Sequence, residues 1–181
     1  KIVKIIAYDL RKEPTIDFGY IKEKNTFFMK IEFWEVGMQI LLIEDNSNKR
    51  KQIREVLTEI YPGTEIEEAY SFNSGVRKVY ENRWNLIILD MSLPTYDITH
   101  TESGGDKKPV AGKNIMKRML NRKIIVPVIV ITQFETFDDD RISLNSLNEE
   151  FTQGFREIWK GTVFYGNDDW STTLKEILDK L

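Results

Sequence analysis

Apolar residues recur along the chain with two different periods. Between Met38 and Leu181, short continuous apolar runs alternate with stretches in which apolar residues fall three or four apart. The runs are Ile40–Ile43, Asn85–Leu89, Ile125–Ile131 and Thr162–Tyr165, with a weaker one at Glu65–Ala69. Unbroken apolar runs of this length read as strands covered on both faces. Asn48–Ile60 places Ile53, Val56, Leu57 and Ile60 on one helical face, and Tyr61-Pro62-Gly63 stops it. Ser71 is placed to cap a second helix with the stripe Phe72, Val76, Val79 and Tyr80. Gly112 opens a third, with Ile115, Met116, Met119 and Leu120 inward. The spacing of Leu144, Leu147, Phe151, Phe155 and Ile158 predicts a long fourth helix over Arg141–Lys160. Trp170, Leu174, Ile177, Leu178 and Leu181 predict a last one. Met91–Ala111 is polar, holds Pro94, Gly104, Gly105 and Pro109, and reads as a long loop.

Strands alternating with helices predict an α/β fold: a doubly wound, five-stranded parallel sheet with helices on both faces. Ahead of Met38 the pattern changes. Ile2, Val3, Ile6 and Ala7 predict a helix, and Thr15–Ile21 and Thr26–Phe33 alternate like two strands of a β-hairpin. Residues 1–37 are therefore expected to form an N-terminal extension, either the end of an upstream module or a segment added ahead of the domain. Met38 looks like a natural first residue for the domain at 38–181.

Composition narrows the chemistry. With 181 residues, 41% of them hydrophobic, the chain can bury a core without staples. It has no cysteine, which removes disulfides, thiolate metal sites and thiol nucleophiles, and which fits a cytoplasmic setting. One histidine, His100, excludes a multi-histidine metal site. A net charge of -3 gives no chain-wide basic footprint, so direct nucleic-acid contact is not expected. No run of about 18 apolar residues is present to span a membrane.

In parallel sheets the reactive groups gather at the carboxyl ends of the strands. The first strand of the domain ends in Glu44-Asp45, the third in Asp90 and the fourth in Thr132. Three carboxylates on one edge repel one another and are tolerated if a hard cation such as magnesium sits among them. A carboxylate beside such a cation can attack a phosphoryl group and become an acyl phosphate.

Ile40–Asn46 (ILLIEDN), Leu86–Pro94 (LIILDMSLP) and Val128–Thr132 (VIVIT) resemble a response-regulator receiver domain, and the resemblance covers Met38–Leu181. It implies the flavodoxin-like strand order 2-1-3-4-5, which the chemotaxis receiver also shows. It also implies that Asp90 is the phosphoacceptor, with Asp45 a direct Mg2+ ligand and Glu44 a ligand through water. The Ser92 backbone carbonyl would be a further ligand. Pro94 matches the family's turn, Thr132 the switch hydroxyl and Phe164 the switch aromatic. Receivers end their fifth strand with a lysine that reaches the phosphoryl group. Counting back from Leu174 puts Asn167 in that position, so the resemblance departs there. A second departure is the insertion from Thr95 to Ala111, carrying His100, Lys107 and Lys108, which should lie over the active edge. A third is the lengthened region between Thr132 and Gly161, with Asp138-Asp139-Asp140, on the face receivers use for partners and dimers.

The resemblance implies a signalling module that takes a phosphoryl group from a partner histidine kinase or related ATPase protein, acts through protein contacts, and can form a homodimer. Such a module is a phosphoacceptor rather than an enzyme in the ordinary sense. The rival class is a pseudo-receiver, a binding module that works without phosphate; Asn167 is its main support. A metal-dependent phosphohydrolase is disfavoured, because Ser92 stands where a second acid would be needed. Asn25–Phe33 (NTFFMKIEF) is similar to the last strand of a histidine-kinase ATPase domain, but the glycine-rich nucleotide boxes are absent.

Overall fold

A computed structural model describes residues 2–8, 28–34, 38–81, 83–98, 103–137 and 141–181. The chain divides into two compact units, Lys1–Gly37 and Met38–Leu181. In the first, β1 (Ile2–Tyr8) pairs antiparallel with β2 (Phe28–Trp34), Ile5 opposite Ile31. The helix expected around Ile2–Ala7 is thus a strand. Ile2, Val3, Ile5 and Ile6 are β-branched, which lowers helix propensity and suits a pleated ribbon. The strand expected over Thr26–Phe33 is found as β2, and the one expected over Thr15–Ile21 lies outside the described residues.

The second unit is built on β3 (Gln39–Ile43), β4 (Glu65–Ala69), β5 (Leu86–Leu89), β8 (Val128–Thr132) and β11 (Trp159–Phe164). They form one parallel sheet in the order β4-β3-β5-β8-β11, the flavodoxin-like order expected. Side chains of a strand alternate between faces, so each strand feeds two cores. Ile40 and Leu42 pack with Ile53 and Leu57 of α1 (Ser47–Ile60) and Leu174 and Leu178 of α5 (Trp170–Leu178). Leu41 and Ile43 pack on the other side with α2 (Phe72–Val79), α3 (Ala111–Asn121) and α4 (Leu144–Gly154).

Two segments differ from expectation. The loop at Met91–Ala111 contains a short antiparallel ladder, β6 (Leu93–Pro94) with β7 (Lys107–Lys108). The long fourth helix is shorter. The chain first forms a second ladder, β9 (Thr136–Phe137) with β10 (Ile142–Ser143), and Ser143 then caps α4 by accepting the Ser146 N–H. Beyond Gly154, Phe155 and Ile158 stay buried in a turn that leads into β11 at Trp159. Their helical spacing reflects burial on one side, which a turn satisfies as well as a helix.

Glycine is needed where α3 begins. A Cβ on Gly112 would lie 2.6 Å from the Asp90 carbonyl oxygen and 3.2 Å from Met91 Cα. The helix therefore rests on the backbone that carries Asp90, and only a residue without a side chain allows that approach.

Candidate functional site

Backbone bonds carry the sheet one residue past β3 and β5: Glu44 N–H donates to Ala69 O at 3.0 Å and Asp90 N–H to Ile43 O at 2.9 Å. The acids of the two strand ends thereby meet on one edge. Glu44, Asp45 and Asp90 each offer a carboxylate oxygen, all within 4.8 Å of one another. Glu44 and Asp90 are buried, at 2% and 4% exposure, while the Asp45 side chain is 21% exposed. Ser92 N–H donates to Asp90 Oδ2 at 3.2 Å and Asn46 N–H to Glu44 Oε1 at 2.9 Å.

A cation from α1 enters this cluster. Lys49 Nζ donates to Asp90 Oδ1 at 2.8 Å and to the Ile131 carbonyl at 2.8 Å, and lies 2.6 Å from Glu44 Oε2. Lys49 is itself only 2% exposed. Asn46 places it, since Asn46 Oδ1 accepts the N–H groups of Asn48 and Lys49 as the cap of α1. Arg50 fixes the loop from below by donating to the carbonyls of Glu44 and Asp45 at 2.9 and 2.8 Å. The Tyr165 ring lies with its centroid 5.6 Å from Lys49 Nζ.

Burial, with the Asp90 charge second, pushes the Glu44 carboxyl up to about 7 against the pull of Lys49. Burial also raises Asp90 above the ordinary aspartate value; Lys49 opposes this and Asp45 adds to it. For Lys49 burial works against the charge, but Asp90 and Glu44 outweigh it and hold the ammonium above its ordinary value. One buried cation thus serves two buried acids, and the cluster still carries excess negative charge.

The other expected residues lie around this core. Thr132 ends β8 fully buried, and its Oγ1 accepts the Phe134 N–H at 3.2 Å. Phe164 is half-buried at the end of β11, opposite Thr132. Asn167 is exposed in the turn before α5, its N–H on the Phe164 carbonyl at 3.5 Å. The insertion brings Lys107 Nζ to 4.0 Å from Asp45 Oδ2, over the Phe134 ring at 5.3 Å. His100 and Asp138–Asp140 lie outside the described residues.

Lys49 escaped the sequence reading, yet a signal was there. It sits one turn before Ile53 on the stripe that continues through Leu57 and Ile60, so a charge occupies the buried face of α1. The first turn of α1 holds no acid and carries Lys49 and Arg50, with Lys51 next, the wrong sign for a helix N-terminus. A local rule broken in this way points to a compensating charge nearby, here Glu44 and Asp90.

The donor set suits a small hard cation. Asp45 is open to solvent at the rim, Asp90 Oδ2 takes one backbone N–H, and Glu44 Oε2 accepts no directed hydrogen bond among the described residues apart from its ion pair with Lys49.

Fold and strand-end acids together are similar to those of receiver domains. No family model matches the chain. It is 32% identical over 145 residues to the uncharacterized protein y4jR of Sinorhizobium fredii, covering 76% of this chain and 95% of that one. It is 27% identical over 150 residues to the Detocs response regulatory protein DtcB of Enterobacter cloacae, covering 80% of this chain and all of that protein. Among solved structures it is similar to a CheY-like response regulator receiver domain protein from Methanospirillum hungatei, with a TM-score of 0.54, 17% identity, and 79% and 92% of the two chains covered. It is also similar to the receiver domain of the sensor histidine kinase PA1611 from Pseudomonas aeruginosa, described with magnesium in its active-site cleft, with a TM-score of 0.51, 19% identity, and 80% and 97% covered. Its fold is that of the CheY-like receiver domains among these solved structures, and response regulatory proteins are among its curated relatives. No described helix is long and apolar enough to cross a membrane.

Proposed function

We propose that this domain accepts a phosphoryl group on Asp90 from a phosphohistidine of a partner histidine kinase or related ATPase protein, in the cytoplasm. It would pass the signal on through protein contacts, a homodimer among them. The single observation that carries this reading is the buried Asp90 carboxylate at a strand end, flanked by Glu44 and Asp45 and held by a Ser92 N–H. One Asp90 oxygen attacks phosphorus, the bond from phosphorus to the donor breaks, and the donor leaves with the electron pair. The product is an aspartyl phosphate. Magnesium, when bound by Asp45, Asp90 and the Ser92 carbonyl with Glu44 behind them, would neutralise charge on the phosphoryl oxygens. Thr132, at the end of the neighbouring strand, would follow the phosphoryl group with its hydroxyl, and Phe164, paired with it across β8 and β11, would respond as the switch aromatic.

The pseudo-receiver reading has one observation in its favour: Lys49 is a built-in cation paired with two of the acids. Treatment with acetyl phosphate and magnesium, followed by intact mass, separates the two. A gain of one phosphoryl group in the parent and none in Asp90→Ala supports the phosphoacceptor. No gain at any magnesium concentration, with partner binding unchanged in Asp90→Ala, leaves the pseudo-receiver.

A further inference from the structure

We infer that Lys49, on the first turn of α1, is the cation that holds the phosphoryl group on Asp90. This rests on the phosphoacceptor reading and names a further residue of that site. The geometry leads directly to it. Nζ is hydrogen-bonded to Asp90 Oδ1 at 2.8 Å, so a group attached to this carboxylate forms within reach of the ammonium. The ammonium is anchored on its other sides by Glu44 Oε2 at 2.6 Å and the Ile131 carbonyl at 2.8 Å. It is thus aimed into the cluster and shielded from water, where a charge-assisted contact is stronger than at the surface.

The electrostatics change in a definite way on transfer. Acetyl phosphate and the Asp90 carboxylate give aspartyl phosphate and acetate: one P–O bond forms, one breaks, and acetate takes the electron pair. Asp90 exchanges its single negative charge for the roughly two of a phosphoryl group. Lys49 loses a carboxylate partner and finds a more highly charged one in the same place. Its bond to the Ile131 carbonyl ties that event to the residue before Thr132, at the end of β8. Lys107 is placed for a different role. It is half exposed, lies 4.0 Å from Asp45 and leans on Phe134, at the rim rather than on the acceptor. Asn167 is exposed and carries no charge.

The position is also expensive to maintain, which argues against chance. A buried ammonium at a helix N-terminus opposes both desolvation and the helix dipole. Cap, acids and backbone carbonyl together hold it there.

The test compares the parent, Lys49→Met and Lys49→Gln, the second of which keeps a polar hydrogen-bond donor on α1 but no charge. Asp90→Ala serves as the labelling control. Two quantities are read on each: the rate of mass gain from acetyl phosphate, and the magnesium midpoint from intrinsic fluorescence. Labelling at least about tenfold slower in the folded variants, with the magnesium response kept or tightened, is expected. Labelling at the parental rate in either variant overturns the role of Lys49. So does a parallel loss of labelling and of the magnesium response, because Lys49 would then only shape the pocket. If Lys49→Met fails to fold, Lys49→Gln decides. No labelling of the parent overturns the phosphoacceptor reading itself, and this inference with it.

Discussion

Lys49 and Asp90 lie 41 positions apart and meet in a 2.8 Å ion pair at which both side chains are almost fully buried. Their pairing changes how the acid cluster is held together. Repulsion among Glu44, Asp45 and Asp90 is real, but it is bridged from inside by one ammonium rather than left to a metal alone.

Removing one acid leaves the cation better matched. Asp90→Asn keeps a hydrogen-bond acceptor for Lys49 and leaves Glu44 as its charge partner. In metal-free buffer the variant should be more stable by about 1 kcal/mol, or about 2–4 °C in melting temperature. A lower melting temperature, read by circular dichroism, would show that the Lys49–Asp90 pair outweighs the repulsion.

Stability without metal should fall as pH rises through neutrality. Glu44 is raised from an ordinary 4.5 to about 7, so the folded state binds the proton more tightly than the unfolded one. Its contribution is greatest below the unfolded value and is lost as pH climbs through the folded one. Asp90, also raised, acts in the same direction, and the raised Lys49 matters only in alkali. Urea midpoints should therefore be higher at about pH 5.5 than at about pH 8, and Glu44→Gln should flatten most of the slope. A flat profile in the parent counts against a buried, proton-hungry Glu44.

Magnesium binding should depend on the rim acid. Asp45 is the most open of the three carboxylates, and the Lys107 ammonium beside it is 4.0 Å away and half exposed. Added magnesium should raise the melting temperature by mass action and shift amide resonances around Asp90. Asp45→Asn should abolish both effects while leaving the fold intact. A response that survives in Asp45→Asn places the metal elsewhere.

Gly112→Ala should disturb the acceptor from behind. The added methyl would fall 2.6 Å from the Asp90 carbonyl oxygen and 3.2 Å from Met91 Cα, both backbone atoms with little freedom to move. A loss of about 1–3 kcal/mol is expected from overpacking, together with slower labelling of Asp90. Unchanged urea unfolding would mean that α3 can slide away from the sheet at no cost.

The hydrophobic pattern alone determined the parallel sheet and put Glu44, Asp45 and Asp90 at strand ends on one edge, whereas the strand order came from the resemblance. Continuous apolar runs demand cover on both faces, and the end of a run marks the end of a strand. The pattern misread Ile2–Ala7 as helical, because spacing over so few residues does not separate a helix from a paired strand. It overextended the fourth helix, because Phe155 and Ile158 keep helical spacing while buried in a turn. It was silent about Lys49. A lysine near a helix start reads as solvated until the fold shows what lies across from it. Only the packing of α1 over the ends of β3, β5 and β8 turns that side chain inward, onto two carboxylates and a carbonyl. Charges distant in the chain are brought together by topology, and local periodicity carries no record of which ones will meet.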